Sequence, residues 1–360
     1  MIRYAEIRKQ PLTLGTLQKF LSEDARDVGG HVDPDIRNAV KGWLDKADKR
    51  TAQLVAAGAY TDVTADRKKW NTLSARNKHA VPEPVLIDWA TVKYLFMEIQ
   101  GDKCAYCERK MAAGGDGGSG EHDLEHFRPK NPVKKWRAPQ GLGIETGEKT
   151  DQGYYWLAFH LLNYCTSCLK CNRGLKHDHF PIAGTRYPPH NLPGQRSDKS
   201  EQPDLIYPLG THDDDPEAVI RFRGVAAYPP EGDLFLPLEE RTDARRNRRA
   251  KVTIAFFKLN SRDELIEGRA KKLRELEKSM ELLNSVDPDV KAHAKQDLVN
   301  MTCGIDEHTA CVRAMIRLHR RDPARAIQYF AVIRAYVDTK TPRNFGIVNG
   351  EFVEMSRQAP

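Results

Sequence analysis

The chain has 360 residues, 40% of them apolar and 30% charged, which is the composition of an ordinary globular protein. It contains no apolar run near the roughly 20 residues that span a bilayer, and its first residues form no apolar signal core. These two features predict a protein that neither spans a membrane nor is exported, so we expect a cytoplasmic one. Lys and Arg number 57 against 50 Asp and Glu, and the resulting charge of +7 permits a polyanionic partner without requiring one.

The first 85 residues are predicted to form an N-terminal helical region, because their apolar residues recur at helical spacing. This spacing runs through Leu14–Leu21 and again after Asp33, where Pro34 is suited to a first helical turn. The polar and basic stretch Ala65–Asn77 precedes two prolines and predicts a loop. A further helix is expected from about Asp88 to Gly101, where glycine suits a left-handed cap.

The C-terminal part of the chain is also predicted to be helical, over residues 261–345, with a short tail at 346–360. Ser261 and Glu264 have capping-box spacing, and Asp322 precedes Pro323 as a second helix start. Residues 186–260 are rich in Pro, Asp and Gly and are interpreted as an irregular wrapping segment. The basic run Arg241–Lys251 within it fits either a solvated helix face or a DNA-contacting tract.

Two Cys-x-x-Cys pairs lie near the middle of the chain, Cys104 with Cys107 and Cys168 with Cys171. Two thiolates at this spacing converge on one ion from a tight turn, so the two pairs predict a structural, four-coordinate Zn²⁺ site. Metal ligation is favoured over disulfides because no signal peptide is seen. Cys165 also forms a Cys-x-x-Cys pair with Cys168, but we interpret it as a packed thiol.

Glu125 and His126 lie between the two cysteine pairs, and Asn172 follows the last cysteine directly. Hydrolysis of a phosphodiester needs a base to activate water and a cation to neutralise charge on the phosphate. A neutral His126 supplies the base. Glu125 and Asn172 supply oxygen ligands that suit Mg²⁺ or Mn²⁺. Adjacent residues of a strand point to opposite faces, so a bend near Pro129 is needed for both to serve one site.

Basic residues follow the histidine, with Trp136 among them, and predict contacts to a phosphate backbone. The candidate nucleic-acid contacts are Lys130, Lys134, Lys135, Arg137 and Lys176. For Lys176, a solvent-exposed position one helical turn after Asn172 is an equally good interpretation.

These residues resemble the HNH (ββα-metal) endonucleases. The resemblance implies that Glu125 and Asn172 are ligands of the catalytic cation, that His126 is the general base, and that Asn163 braces the loop between two strands. Further motifs are similar to the Septu-type and retron-associated HNH nucleases of bacterial anti-phage defence. They include Glu125-His-Phe-Arg-Pro-Lys130 and Tyr154-Tyr-Trp-Leu-Ala158, and the similarity extends over roughly residues 85–270. The family implies a partner ATPase of the ABC/SMC type.

The sequence therefore predicts an α+β, mostly helical protein with an HNH nuclease core at residues 86–185 between helical flanks. The predicted function is metal-dependent hydrolysis of DNA as the effector nuclease of a bacterial anti-phage defence system. Two alternatives remain open at this point. One is an RNA endonuclease of the same fold, acting for example on tRNA, and the other is a non-catalytic, zinc-stabilised binding subunit.

Overall fold

The computed structural model describes most of the chain outside its N-terminal part. The described residues are 1, 6–7, 10–11, 13, 16–17, 42–78, 82–87, 89–111, 121–186, 200–339, 345–348 and 351–354. Most of the helix predicted over Leu14–Leu21 and the start of the helix predicted after Asp33 lie outside these residues.

Most of the secondary structure in the described part of the chain is helical, as the spacing of apolar residues predicts. They are α1 (Trp43–Ala57), α2 (Val63–Asn71), α3 (Ala75–Lys78), α4 (Ala90–Gln100), α5 (Lys170–Lys176, wound with π-helical bonding), α6 (Pro216–Val219), α7 (Leu238–Arg241), α8 (Ala244–Phe256), α9 (Asp263–Leu282), α10 (Pro288–Thr302), α11 (Thr309–Arg321) and α12 (Pro323–Thr339).

The strands of the described residues form four separate antiparallel pairs and no larger sheet. They are β1 (Glu6–Ile7) with β2 (Gln10–Pro11), β3 (His122–His126) with β4 (Tyr164–Cys168), β5 (Arg221–Arg223) with β6 (Ala226–Tyr228), and β7 (Phe345–Val348) with β8 (Glu351–Glu354). The prediction of a mostly helical α+β fold is confirmed, whereas the five sequence divisions stay predictions.

Helix α4 ends where the sequence predicts and leads directly into the first cysteine pair. Gly101 adopts φ 58°, a left-handed conformation that costs glycine little, and its backbone N–H donates to Glu98 and Met97 carbonyls. The buried side chain of Gln100 then donates to the carbonyls of Lys103 and Thr166. The end of α4 is thereby tied to strand β4 as well as to the first knuckle.

The prediction of a loop over Ala65–Asn77 is wrong, because most of this stretch lies in helices α2 and α3. Asp62 is the N-cap of α2, and its carboxylate accepts the backbone N–H of Ala65 at 2.9 Å. The alanine, arginine and lysines that follow are good helix formers, and this propensity outweighs the lack of an apolar stripe.

The capping box predicted at Ser261 is also wrong. Helix α9 starts after Arg262, which makes no side-chain cap, and Glu264 accepts hydrogen bonds from the side chains of Arg262 and Lys170. The predicted start at Asp322 is confirmed, since its carboxylate accepts the Arg325 backbone N–H at 3.0 Å.

The basic run Arg241–Lys251 extends from the end of α7 into α8, and Arg245, Arg248 and Arg249 pair with carboxylates of the preceding segment. Arg249 is buried and binds the carboxylates of Asp213 and Asp214 at 2.6 and 2.8 Å. Both Arg245 and Arg248 bind the fully buried Asp204. Neither alternative from the sequence describes these three residues, which hold the segment before α6 onto the helix.

None of the helices in the described ranges has both the length and the apolarity needed to cross a bilayer.

Candidate active site and metal centre

Strands β3 and β4 and helix α5 form a ββα unit that carries the predicted site residues. The antiparallel register pairs His122 with Cys168 at one end and His126 with Tyr164 at the other. Helix α5 follows β4 within two residues. One end of the hairpin therefore faces the cysteine pairs, and the other end presents His126.

The four cysteines selected by their spacing converge. The sulfurs of Cys104, Cys107, Cys168 and Cys171 lie within 4.8 Å of one another, and all four residues are buried. The Cys107 and Cys168 sulfurs are 3.9 Å apart, close to the separation of two thiolates on a tetrahedral ion with bonds of about 2.3 Å. Cys165 lies outside the cluster, with its sulfur 3.6 Å from the Tyr106 hydroxyl. The donor set and its geometry fit a structural zinc ion.

The four thiols of the cluster differ in acidity. Burial raises the pKa of Cys104, whereas hydrogen bonds with Cys104 and Cys107 lower the pKa of Cys168, and the thiolate is the form that binds metal. Arg262 places Nη1 3.2 Å from the Cys171 sulfur. Burial lowers the pKa of Arg262, but attraction to Cys171 outweighs this and raises it above its ordinary value. A permanent cation beside four thiolates offsets part of their charge.

His126 is held by the backbone of the loop that precedes β4. Its Nε2 lies 2.9 Å from the carbonyl oxygen of Ala158, which also accepts hydrogen bonds from Trp89 Nε1 and the Tyr164 hydroxyl. A carbonyl only accepts, so Nε2 carries the proton and Nδ1 of the neutral ring carries the lone pair. Trp89 and Tyr164 also pack edge-on against the imidazole, at 5.3 and 5.1 Å between centroids.

The environment keeps this imidazole neutral. Burial, followed by the positive charge of Lys130, lowers the pKa of His126 to about 3, against the raising effect of the Ala158 hydrogen bond. The Lys130 ammonium lies 4.8 and 4.9 Å from the ring centroids of Tyr60 and Trp89. His126 is therefore unprotonated near neutral pH, and the same burial and charge that keep it neutral make Nδ1 a weaker base than a free imidazole.

Glu125 is buried beside a buried lysine. Its Oε1 lies 2.5 Å from Nζ of Lys176, which also donates to the His126 carbonyl at 2.8 Å. Burial raises the pKa of Glu125, and the ammonium of Lys176 limits that rise. Because the ammonium lies against Oε1, the second oxygen, Oε2, is the one suited to ligate a cation.

Asn172 lies on α5 next to a different carboxylate. Its Nδ2 donates to Asp123 Oδ2 at 3.2 Å, which leaves the carboxamide oxygen as the atom suited to ligation. Asp123 also accepts two hydrogen bonds of 2.7 Å from Arg173. Asp123 and Glu125 are two residues apart on β3 and share a face. The oxygen donors on this face suit a hard divalent cation.

Asn163 is fully buried and bridges two loops. Its Oδ1 accepts the backbone N–H of Arg128 at 2.8 Å, and its Nδ2 donates to the carbonyls of Arg128 and Leu157 at 3.0 and 3.2 Å. The side chain therefore links the chain after β3 to the turn before β4.

The five predicted nucleic-acid contacts fall in three different settings. Lys134, Lys135 and Arg137 lie on the surface segment after β3, and Lys135 and Arg137 line an open cleft with Trp136. Lys130 lies beside His126, as described above. Lys176 is fully buried, so in this conformation its ammonium does not reach the surface.

Sequence reasoning missed several residues that shape the site. Trp89 and the Ala158 carbonyl orient His126, and Arg262 lies against the cysteine cluster. Asp123 differs from these residues, because its position two residues before Glu125 places it on the same face of the predicted strand and so indicates a role near the site. The others come close through long-range folding, which leaves no spacing pattern.

Comparison with known proteins agrees with the motifs. The chain is 30% identical over 199 residues to the Septu protein PtuB of Bacillus mycoides (strain KBAB4). The aligned stretch covers 54% of this chain and 56% of the relative, so the match spans little more than half the length of either. No protein-family model and no solved structure matches the chain. The similarity to Septu-type proteins predicted from the motifs is confirmed.

Proposed function

We propose that the chain is a metal-dependent HNH endonuclease that hydrolyses phosphodiester bonds in DNA and acts in bacterial anti-phage defence. The observation that carries the proposal is the state of His126, a buried neutral imidazole whose Nε2 is committed to the Ala158 carbonyl. Its Nδ1 is then the base, one residue from the buried carboxylate of Glu125.

The chain's own residues divide the work of hydrolysis. His126 takes the proton from the attacking water at Nδ1. Glu125 and Asn172 would hold Mg²⁺ or Mn²⁺, which when bound neutralises charge that develops on the phosphate. Asn163 fixes the loop after His126 through its contacts with Arg128. Lys130 adds positive charge beside the base.

The segment after β3 is proposed as the path of the nucleic-acid backbone. Lys134 is 59% exposed at its side chain, and Lys135 and Arg137 line the cleft with Trp136. Contacts to phosphates carry little sequence information, so we expect weak base preference and binding that weakens steeply with salt.

The similarity to a Septu protein supports the defence role and extends the proposal to a partner, an ATPase of the ABC/SMC type. Co-expression with such an ATPase encoded in the same genome, followed by size-exclusion chromatography, tests this part. Co-elution at a fixed ratio is expected, and separate elution at micromolar concentrations would remove the partner from the proposal.

The nuclease proposal is tested by nicking of supercoiled plasmid in Mg²⁺ or Mn²⁺ by wild type and by His126→Ala. Loss of the base should slow nicking by about 10²- to 10⁴-fold. His293→Ala is the control, because His293 is exposed on the distant helix α10 and its loss should leave nicking unchanged. Zinc content and thermal unfolding verify that each variant is folded.

The same assay is run on tRNA and on single-stranded RNA. If the protein cleaves RNA and not DNA, it is an endonuclease of the proposed class whose substrate is RNA. Equal nicking by wild type and His126→Ala, or none by the zinc-loaded wild type with its partner, would favour the non-catalytic binding subunit instead.

A further inference from the structure

A fully buried lysine contacts both residues of the proposed catalytic pair. Lys176 Nζ lies 2.5 Å from the Glu125 carboxylate and 2.8 Å from the carbonyl oxygen of His126. Burying an ammonium is costly, and a buried ion pair contributes little net stability relative to apolar packing. Helix α5 is already tied to β4 through the cysteine cluster. The position of Lys176 therefore calls for an explanation in the chemistry of the site.

The other charges around Glu125 are also matched by cations. Arg173 binds Asp123 through two hydrogen bonds of 2.7 Å. Lys130 is the third cation near the pair, and the next carboxylate, Asp178, is matched by Lys134 at 3.4 Å. Asp123 is paired with Arg173 and Glu125 with Lys176, so both carboxylates of the proposed site are already matched by a cation.

Such pairing is unusual for a site that is to hold a divalent cation. Affinity for hard cations rises with the number of charged ligands, and the ammonium and guanidinium groups that pair with these carboxylates oppose a free cation through ordinary Coulomb repulsion. The same groups attract a phosphodiester, which brings negative charge. A phosphate and a divalent cation that enter together compensate each other, whereas the cation alone does not.

We propose that the site takes up its divalent cation together with the phosphate of the substrate, and that Lys176 is the positioning residue that imposes this coupling. Lys176 neutralises Glu125 through Oε1 and leaves Oε2 directed to the cation. Metal and nucleic acid then strengthen each other's binding, as linkage requires. The inference rests on the proposed nuclease function.

The test measures Mn²⁺ binding rather than cleavage. Free Mn²⁺ is followed by electron paramagnetic resonance in titrations of the full-length, zinc-loaded protein, with and without a short DNA duplex. All proteins carry His126→Ala so that the duplex stays intact. With Lys176 present, we expect the duplex to tighten Mn²⁺ binding by about tenfold or more. If the protein that retains Lys176 binds Mn²⁺ equally well with and without DNA, the proposal is wrong.

Two substitutions assign the effect to the charge of Lys176. Lys176→Met keeps the length of the side chain and removes its charge, so it should reduce the dependence of Mn²⁺ binding on DNA. Lys176→Arg keeps the charge and should keep the dependence. Lys170→Met is the matched control, because Lys170 lies on the same helix, is 55% exposed and pairs with Glu264; it should change nothing.

The outcomes separate this inference from the nuclease proposal. Nicking by wild type combined with Mn²⁺ binding that ignores DNA would sink the inference alone. An unchanged dependence of Mn²⁺ binding on DNA in a folded Lys176→Met protein would do the same. Absence of both nicking and Mn²⁺ binding, in every arm, would sink the nuclease proposal together with it.

Discussion

At the scale of single residues, the site depends on hydrogen-bonding groups that orient His126 and the chain after it. The Ala158 carbonyl accepts hydrogen bonds from His126, Trp89 and Tyr164 and so decides which imidazole nitrogen is free. Asn163 has a comparable task on the other side of His126, where it pairs the backbone of Arg128 in both directions. These contacts fix the direction of the base, which is a condition for efficient proton transfer.

Asn163→Ala should lower both stability and nicking. It leaves the N–H and C=O of Arg128 without their partners in a buried setting, which costs about 2–4 kcal/mol of unfolding free energy. Urea unfolding of the zinc-loaded protein measures this loss, and plasmid nicking per folded molecule measures the effect on the proposed site. Asn163→Asp is expected to behave similarly, because a carboxylate cannot donate to the Arg128 and Leu157 carbonyls.

Asn247 provides a matched control away from the site. It is buried too, accepts the Glu231 backbone N–H at 2.8 Å and donates to the Arg241 carbonyl. Asn247→Ala should therefore lose similar stability and keep its nicking rate. If the two alanine variants retain equal nicking rates, Asn163 is a structural residue only.

At this scale the sequence predicts residue types better than their surroundings. Cysteine spacing alone selects the four thiols, because the geometry of a tight turn determines it. The environment of Lys176 is not predictable in the same way, since its contact with Glu125 joins residues 51 positions apart through the β3–β4 hairpin and α5. Its burial follows from packing, which a local pattern does not encode.

At the scale of elements, many charged residues form ion pairs that connect one element to another and do not form a charged surface. Helix α8 looks basic in sequence, yet its arginines hold the preceding segment through Asp204, Asp213 and Asp214. The start of α9 is organised similarly, since Arg262 and Glu264 contact the cysteine cluster and α5 rather than forming a capping box. The sequence shows which residues are charged but not which residues they contact. For this reason the basic run and the capping box were both interpreted wrongly.

Arg249→Met should destabilise the protein by about 2–4 kcal/mol, because it removes the cation that pairs with the Asp213 carboxylate in a largely buried position. Urea unfolding at neutral pH measures the change. Lys251→Met on the same helix is the control, since Lys251 pairs with Glu231 at an exposed position and should cost at most about 1 kcal/mol.

The acid dependence gives an independent check on this pair. Burial raises the pKa of Asp213, but the attraction of Arg249 outweighs it, and the pKa lies below its ordinary range. The stabilisation is therefore present above the unfolded pKa of about 3.9 and is lost as the pH falls through the folded value. Arg249→Met should flatten the stability profile in that range, and an unchanged profile would contradict the role assigned to the pair.

At the scale of the whole molecule, the cysteine cluster connects parts of the chain that are distant in sequence. It joins the turn after α4 to β4 and α5, and Arg262 extends the connection to the start of α9. Lys170 on α5 binds Glu264 on α9 at 2.7 Å and reinforces it. Metal bound here would stabilise the proposed site and the C-terminal helices together, because its binding energy is folding energy.

Cys171→Ser and Cys165→Ala separate the cluster from its neighbour. Wild type should contain about one zinc ion per chain, and Cys171→Ser should lose it together with cooperative unfolding, since a hydroxyl is a poor replacement for a thiolate. Cys165→Ala should keep full zinc, because its sulfur contacts the Tyr106 hydroxyl and not the cluster. Elemental analysis and thermal unfolding of all three proteins measure this. Full zinc in Cys171→Ser, or zinc loss in a folded Cys165→Ala protein, would mean that a different set of sulfurs binds the metal, and the connection from α4 to α9 would then have to run through other contacts.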